Sequence, residues 1–278
     1  MSISFRAAEN GFTHVCAHRG FSLRYPENTL VAFEAAKAAG ATTCEIDLML
    51  TRDGEAVVIH DATLNRTTDG HGFVGDRDFP EIRKLNAGVA FAAESKPPVP
   101  TFAEVVDWAK AANMGLVVEM KERERPDDLI DRALEVLRAR NGFGNTMMLS
   151  FDHVDLKRIK AKEPRVRTEA IVHARHADLI GVLRACAADS VSIELEMFKA
   201  EDAEVLHAAG LSNRVHTPRP SELAEYWESG RDPRAAIGAW LSAGLIDSLS
   251  GDDVTFLRRL VEQNPIVARD QKGARAVA

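Results

Sequence analysis

The chain has 278 residues, 45% of them hydrophobic and 28% charged, with a formal net charge of −7. That length fits one large α/β barrel or two average domains, and the apolar fraction is enough for a substantial core. The acidic balance, with no basic stripe interleaved with aromatics, argues against a nucleic-acid binder, and no apolar run nears the ~20 residues that span a bilayer.

The opening Met1-Ser2-Ile3-Ser4-Phe5-Arg6 lacks the apolar run of a signal peptide. Cys16, Cys44 and Cys186 show neither metal-ligand spacing nor an even disulfide framework, so a reducing cytoplasmic setting is expected. A first strand is expected over 13–17, followed by His18-Arg19-Gly20. Pro26-Glu27-Asn28-Thr29 then opens a helix over 30–39 that stops at Gly40. A second strand over 43–50 sets Glu45, Asp47 and Met49 on one face and Ile46 and Leu48 on the other.

Asp53-Gly54 signals a two-residue hairpin with positive φ at both central positions. Counting outward pairs Arg52 with Glu55 and Asp47 with His60. His60 is thereby expected on the carboxylate face, about 5 Å from Asp47. From Asp61 to Pro100 no strand–helix unit is evident, only a short helical stretch over 81–85 among glycines and prolines. A segment that long inside a compact domain is expected to be a functional lid or inserted element. Its Phe73, Phe79 and Phe91 offer apolar surface that a barrel core does not need.

Alternation then resumes. Strands are expected over 116–120, 146–150, 167–172, 190–195, 214–217 and 245–249. Helices are expected over 102–112, 127–140, 154–162, 178–187, 201–209, 222–229, 234–243 and 252–263. Eight strand-then-helix units predict a TIM (β/α)8 barrel, one domain over 1–278 with a small insertion at about 61–100 after the second strand. No glycine-rich dinucleotide fingerprint or Walker motif follows any strand.

His18, Glu45, Asp47, His60 and Glu119 all fall toward the C-terminal rim, where sites in this fold are built. Glu119 and Lys121 share one strand face. Three carboxylates, Glu45, Asp47 and Glu119, repel one another unless a cation lies between them. Hard oxygen ligands favour Mg²⁺, Ca²⁺ or Mn²⁺. With such an ion, Arg19 and Lys121 leave the site with about one surplus positive charge. That suits a singly charged phosphodiester, gripped by the planar fork of Arg19 and the point charge of Lys121.

The chain resembles the glycerophosphodiester phosphodiesterases in five motifs in order: His18-Arg19-Gly20, Glu27-Asn28-Thr29, Glu45-Ile46-Asp47, His60-Asp61 and Glu119-Met120-Lys121. Leu64-Asn65-Arg66-Thr67-Thr68, Val99-Pro100-Thr101-Phe102 and Ser150-Phe151-Asp152 are also similar. The likeness covers roughly the first 155 residues. It implies a TIM-barrel hydrolase that releases glycerol 3-phosphate and an alcohol, with a divalent metal on Glu45, Asp47 and Glu119. It further implies that His18 and His60 serve as acid and base, and that Glu27 and Asn28 support the metal and histidines. Which histidine is the acid, and whether water or a substrate hydroxyl attacks, stay open at this level.

The second half is less similar. Where the family commonly has Trp-Thr-Val-Asn on the seventh strand, this chain reads Val215-His216-Thr217-Pro218-Arg219-Pro220, and where the family ends the eighth strand with Thr-Asp, it reads Leu249-Ser250-Gly251-Asp252-Asp253. A phosphodiesterase for another polyol or sugar diester is therefore the alternative, with a non-catalytic binding barrel less favoured. Glu194 and Glu196 could reach the metal or the glycerol hydroxyls. His173 and His176 are expected at the solvated rim, and His14, His71, His153 and His207 at surface or capping positions. The charged run over 121–128 beyond Lys121 is expected to be a solvated loop.

Overall fold

The apolar runs pair side by side into a closed ring. The computed structural model describes residues 3–91, 96–228, 230 and 232–267. Met1, Ser2, residues 92–95 of the insertion and Ser229 at the end of an expected helix lie outside them. The strands are β1 (His14–His18), β2 (Thr43–Leu50), β3 (Ala56–Val58), β4 (Gly115–Met120), β5 (Thr146–Ser150), β6 (Arg167–Val172), β7 (Ser190–Glu194), β8 (Ser212–His216) and β9 (Ser248–Gly251). All except β3 are parallel, and β1 pairs with both β2 and β9 to close an eight-stranded barrel. β3 pairs antiparallel with the end of β2.

The helices are α1 (Ala7–Asn10), α2 (Leu30–Ala38), α3 (Phe79–Ile82), α4 (Phe102–Ala112), α5 (Pro126–Ala139) and α6 (His153–Lys162), followed by α7 (Leu179–Ala185), α8 (Ala200–Ala208), α9 (Pro220–Glu228), α10 (Pro233–Ser242) and α11 (Val254–Gln263). The expected TIM barrel is thus the observed fold. Period-2 alternation divides it into two layers. Ile46, Leu48, Val118 and Met120 point outward against Phe33, Phe102, Leu129 and Leu134 of the helices. Each such burial contributes roughly 1.5–3 kcal/mol. Cys16, Val117, Met147 and Leu149 point inward and pack with Phe5. Cys44 lies in the outer layer, so Cys16 and Cys44 face opposite ways, and all three cysteines are free and buried.

Several boundaries differ from expectation. Apolar Leu245 and Ile246 are buried in the outer layer ahead of β9, so that run marks packing rather than strand pairing. α11 begins at Val254 because Asp253 caps it, accepting from Phe256 N. Thr29, not Asn28, caps α2 by accepting from Ala32 N, a contact worth about 1 kcal/mol. His14 is not a surface residue. It is 2% exposed, with its ring nitrogens 2.9 Å from Thr42 Oγ1 and 2.7 Å from Ser4 O.

The hairpin register is also off by one. Leu50 faces Ala56, and Thr51 N donates to Glu55 O, so the loop has three residues with Gly54 alone at positive φ. This matches a type I turn closed by a left-handed residue. Asp47 O consequently accepts from Ile59 N rather than facing His60. Val57 and Ile59 instead join Met49, Leu64, Val74, Ile82, Ala87 and Val99 in a small core beneath the insertion.

Candidate active site

β1 ends with His18 beside Glu45 of β2. The chain then reverses through Arg19 (φ 58°) and Gly20 (φ 80°). A Cβ on Gly20 would sit 2.7 Å from Ala32 Cβ and 2.8 Å from its carbonyl carbon, so both the conformation and the close approach require glycine. The reversal carries Asn28, itself at φ 58°, onto Asp47. Asn28 Nδ2 donates to Asp47 Oδ2 at 2.8 Å, and Asp47 N donates back to Asn28 Oδ1 at 3.3 Å. Arg19 Nη1 donates to Glu27 Oε1 at 3.1 Å, and its Nε lies 3.3 Å from Asp47 Oδ2.

Parallel pairing sets Asp47 beside Glu119. Ligand oxygens of Glu45, Asp47 and Glu119 all lie within 4.8 Å of one another, and all three residues are buried. Asp47 Oδ1 and Glu119 Oε1 make no hydrogen bond. Lys121 Nζ stands 3.0 Å from Glu119 Oε1 and 3.9 Å from Asp47 Oδ1 as an ion pair. Burial, reinforced by the Asp47 charge, pushes Glu45 up to about 7. Buried, converging and unsatisfied carboxylate oxygens are a donor set that fits a hard divalent cation.

Two histidines flank this triad in matching arrangements. His18 Nδ1 lies 2.7 Å from Asp252 Oδ1, and His60 Nδ1 lies 2.6 Å from Asp61 Oδ1. Asp252 is fixed by Ser22 Oγ at 3.1 Å and by Arg219 Nε at 2.6 Å. Asp61 accepts two hydrogen bonds from Arg66, which grips Glu27 with two more at 2.7 and 2.8 Å. Each imidazole therefore turns Nε2 inward. His18 Nε2 is 4.0 Å from Glu45 Oε2, and His60 Nε2 is 3.0 Å from Lys121 Nζ.

Burial alone would lower His18, but the Asp252 hydrogen bond and the Glu45 charge carry it above its ordinary value. Against its own burial, Asp252 is held well below the carboxylate range by His18 and Arg219. His60 reaches the site because the chain leaves the β3 ladder after Val58, not through the expected strand pairing.

These groups border a cavity of about 160 Å³. Arg19, Lys121, Glu45 and Glu119 line one side, and Ser192, Glu194, Arg214 and His216 line the other. Arg214 is buried and paired with Glu169 at 2.7 Å, while Ser190 Oγ donates to Glu169 Oε2. Burial and the positive charge of His18 and Arg214 push His216 down to about 3. Glu194 accepts from the exposed rim residue His173, and Glu196 and His176 are exposed. His153 Nε2 meets Ile171 O and His207 Nε2 meets Asp247 Oδ2, while His71 is exposed.

The run after Lys121 is less solvated than expected. Glu122 is buried and accepts from Glu124 N and Arg125 N, and Arg125 ties the loop to Leu50 O and Thr51 O. Sequence reading gave no site role to Asp252, Arg66, His216 or the Arg214–Glu169 pair. Arg66 stood in a quoted motif without an assignment, and Asp252 read as the start of a helix.

Residues 18–254 match the family model described as the Glycerophosphoryl diester phosphodiesterase family. A glycerophosphodiester phosphodiesterase of Caldanaerobacter subterraneus is 36% identical over 157 residues, covering 56% of this chain and 65% of that protein. Glycerophosphodiester phosphodiesterase 1 of Rattus norvegicus is 33% identical over 162 residues, 56% of this chain and 48% of that protein. The matches thus span from about half to just under two thirds of these relatives' length.

Among solved structures, an Oleispira antarctica phosphodiesterase in complex with the product sn-glycerol-3-phosphate superposes with a TM-score of 0.77 at 26% identity, covering 92% of this chain and 99% of that one. A glycerophosphodiester phosphodiesterase from Agrobacterium tumefaciens shares the fold at a TM-score of 0.74 and 24% identity, covering 89% and 98%. With the family match running from His18 to the start of the helix that follows β9, this chain belongs to the glycerophosphoryl diester phosphodiesterase family.

Proposed function

We propose that this protein hydrolyses water-soluble glycerophosphodiesters to sn-glycerol 3-phosphate and an alcohol, with a divalent cation held by Glu45, Asp47 and Glu119. The observation that carries this reading is the pair of Asp-oriented histidines on either side of three converging buried carboxylates. Mg²⁺, Ca²⁺ or Mn²⁺ bound there would supply Lewis-acid polarisation of the phosphoryl group. Arg19 and Lys121 orient the phosphate oxygens from the same wall of the cavity. Glu27 and Asn28 hold Arg19 and Asp47 in place.

The hydrogen bonds also support a division of labour. Lys121 Nζ can only donate and Asp61 can only accept, so His60 carries its proton on Nδ1 and turns the unprotonated Nε2 toward Lys121. His60 is then the base that takes a proton from the nucleophile once the phosphate draws Lys121 away. His18, raised by Asp252, is the acid that protonates the departing alkoxide. In this proposal residues 1–278 act as one barrel domain whose 61–100 insertion helps to select the alcohol. Three free buried thiols support a reducing cytoplasmic setting.

The test is turnover of sn-glycero-3-phosphocholine by the purified protein, with and without chelator, and in His18→Ala and His60→Ala. Each histidine variant is expected to lose about 10²–10⁴-fold. With a 4-nitrophenol leaving group, His18→Ala should recover and His60→Ala should not. Release of no glycerol 3-phosphate from any diester in the presence of divalent cation would overturn the reading.

A further inference from the structure

His216 stands in the cavity wall yet has no part in the acid–base pairs. Its ring packs edge-on against His18 at a centroid distance of 4.9 Å, and it makes no side-chain hydrogen bond among the described residues. Parallel register sets it beside Glu194, with Ser192 one inward position lower on β7. Ser192 also lines the cavity and makes no side-chain hydrogen bond among the described residues.

The order of strands fixes what this wall faces. Around the closed ring β7 lies four strands from β2, and β8 lies four strands from β4. Ser192 therefore stands across the ring from Glu45 and Asp47, and His216 across it from Glu119. A phosphate held at the carboxylate side would send one ester arm across to them. The other arm would then lie on the side of Lys121, which lines both this cavity and a second one under the insertion.

Resting on the proposed diesterase reading, we infer that His216, with Ser192 below it, is the specificity-determining subsite for the hydroxyls of the glycerol arm. The chemistry fits that ligand. A neutral imidazole presents one donor and one acceptor, which match the two hydrogen-bonding roles of an alcohol, and a serine hydroxyl adds another pair. An imidazolium would offer donors alone. Burial, helped by the positive charge of His18, Arg214 and Arg19, keeps its ring uncharged. Glu194, in the neighbouring register position, adds acceptor oxygens at the mouth of the same wall.

Binding of two phosphate monoesters separates this subsite from catalysis. Calorimetric affinities for sn-glycerol 3-phosphate and methyl phosphate, in the same divalent-cation buffer, give a ratio that isolates the hydroxyl contacts. The unmodified protein is expected to prefer glycerol 3-phosphate. His216→Leu should reduce that preference about tenfold, the worth of a good hydrogen bond. His216→Gln, which keeps a donor and an acceptor, should retain most of it, and Ser192→Ala should lose a smaller part. An unchanged ratio in His216→Leu, or no preference in the unmodified protein, would overturn the inference. A responsive ratio in a protein that turns over no diester would instead retire the catalytic reading and leave the subsite standing.

Discussion

His18 Nδ1 and Asp252 Oδ1 lie 2.7 Å apart although 234 residues separate them. Barrel closure makes this possible, because β1 pairs with β9 and sets the first strand's end against the residue just past the last strand. The contact orients the imidazole and supplies the negative charge that favours its protonated form.

Replacing Asp252 with Asn retains an acceptor but removes the charge. The His18 pKa should then fall, so less of it is protonated at neutral pH. The rate limb set by an acid at His18 should move to lower pH, measured at fixed saturating divalent cation. Glu45, Arg19 and His216 also face His18 and stay unchanged in this variant. Stability gives a second readout. The raised His18 stabilises the fold fully below its unfolded value of 6.5, and this is lost as pH rises through its folded value. The lowered Asp252 stabilises above its unfolded 3.8 and is lost on acidification. The melting difference between wild type and Asp252→Asn should therefore be greatest between those two values and shrink at alkaline pH. A constant difference would argue against the pairing.

Metal removal addresses the triad. Exhaustive chelation should abolish turnover, and excess divalent cation should restore it. Asn28→Ala frees Asp47 Oδ2 from its hydrogen bond. Loss of a residue that orients a metal ligand typically costs 10–100-fold in affinity, so calorimetry of Mg²⁺ or Ca²⁺ should show a drop of about that size. Unaltered cation affinity in both Asn28→Ala and Asp47→Asn would rule out this metal position.

Much of the barrel and the first half of the site could be read from the chain. Period-2 alternation separates Glu45 and Asp47 from Ile46 and Leu48, and the same alternation separates the two core layers. The register of the β2–β3 hairpin could not be read the same way, since Asp53-Gly54 suits both a two-residue and a three-residue loop. A one-residue slip exchanges the faces, and here it sends Ile59 rather than His60 into the insertion's core. Asp252 was obscured because its role depends on ring closure, which no local pattern encodes. His216 and Arg214 were hidden for a related reason, since a polar barrel interior breaks the rule that buried strands are apolar.

The buried pair of Arg214 and Glu169 gives a stability prediction. Arg214 Nε and Nη2 approach Glu169 Oε1 at 2.8 and 2.7 Å, and Nη1 donates to Ser250 Oγ at 3.2 Å. Arg214→Met strands a buried carboxylate and should cost about 3–5 kcal/mol in denaturant unfolding. The double variant Arg214→Met with Glu169→Met removes both charges and should recover most of that loss. A double variant no more stable than Arg214→Met would show that the two groups are not coupled.

Phe73 tests the role proposed for the insertion. It is 57% exposed and lines a cavity of about 360 Å³ together with Met49, Ala62, Asp76 and Lys121. Lys121 also lines the catalytic cavity, so an alcohol that leaves on the Lys121 side would come up against this space. An exposed side chain contributes little to folding, so Phe73→Ala should shift unfolding by no more than about 0.5 kcal/mol. Its effect should fall on selectivity. Among glycerophosphodiesters that differ only in the alcohol, kcat/KM for choline, ethanolamine and inositol esters should change rank or spread by several-fold. Affinity for sn-glycerol 3-phosphate, which lacks the alcohol, should stay the same. Equal losses across all three esters would place Phe73 outside the alcohol's path and confine the insertion to a structural role.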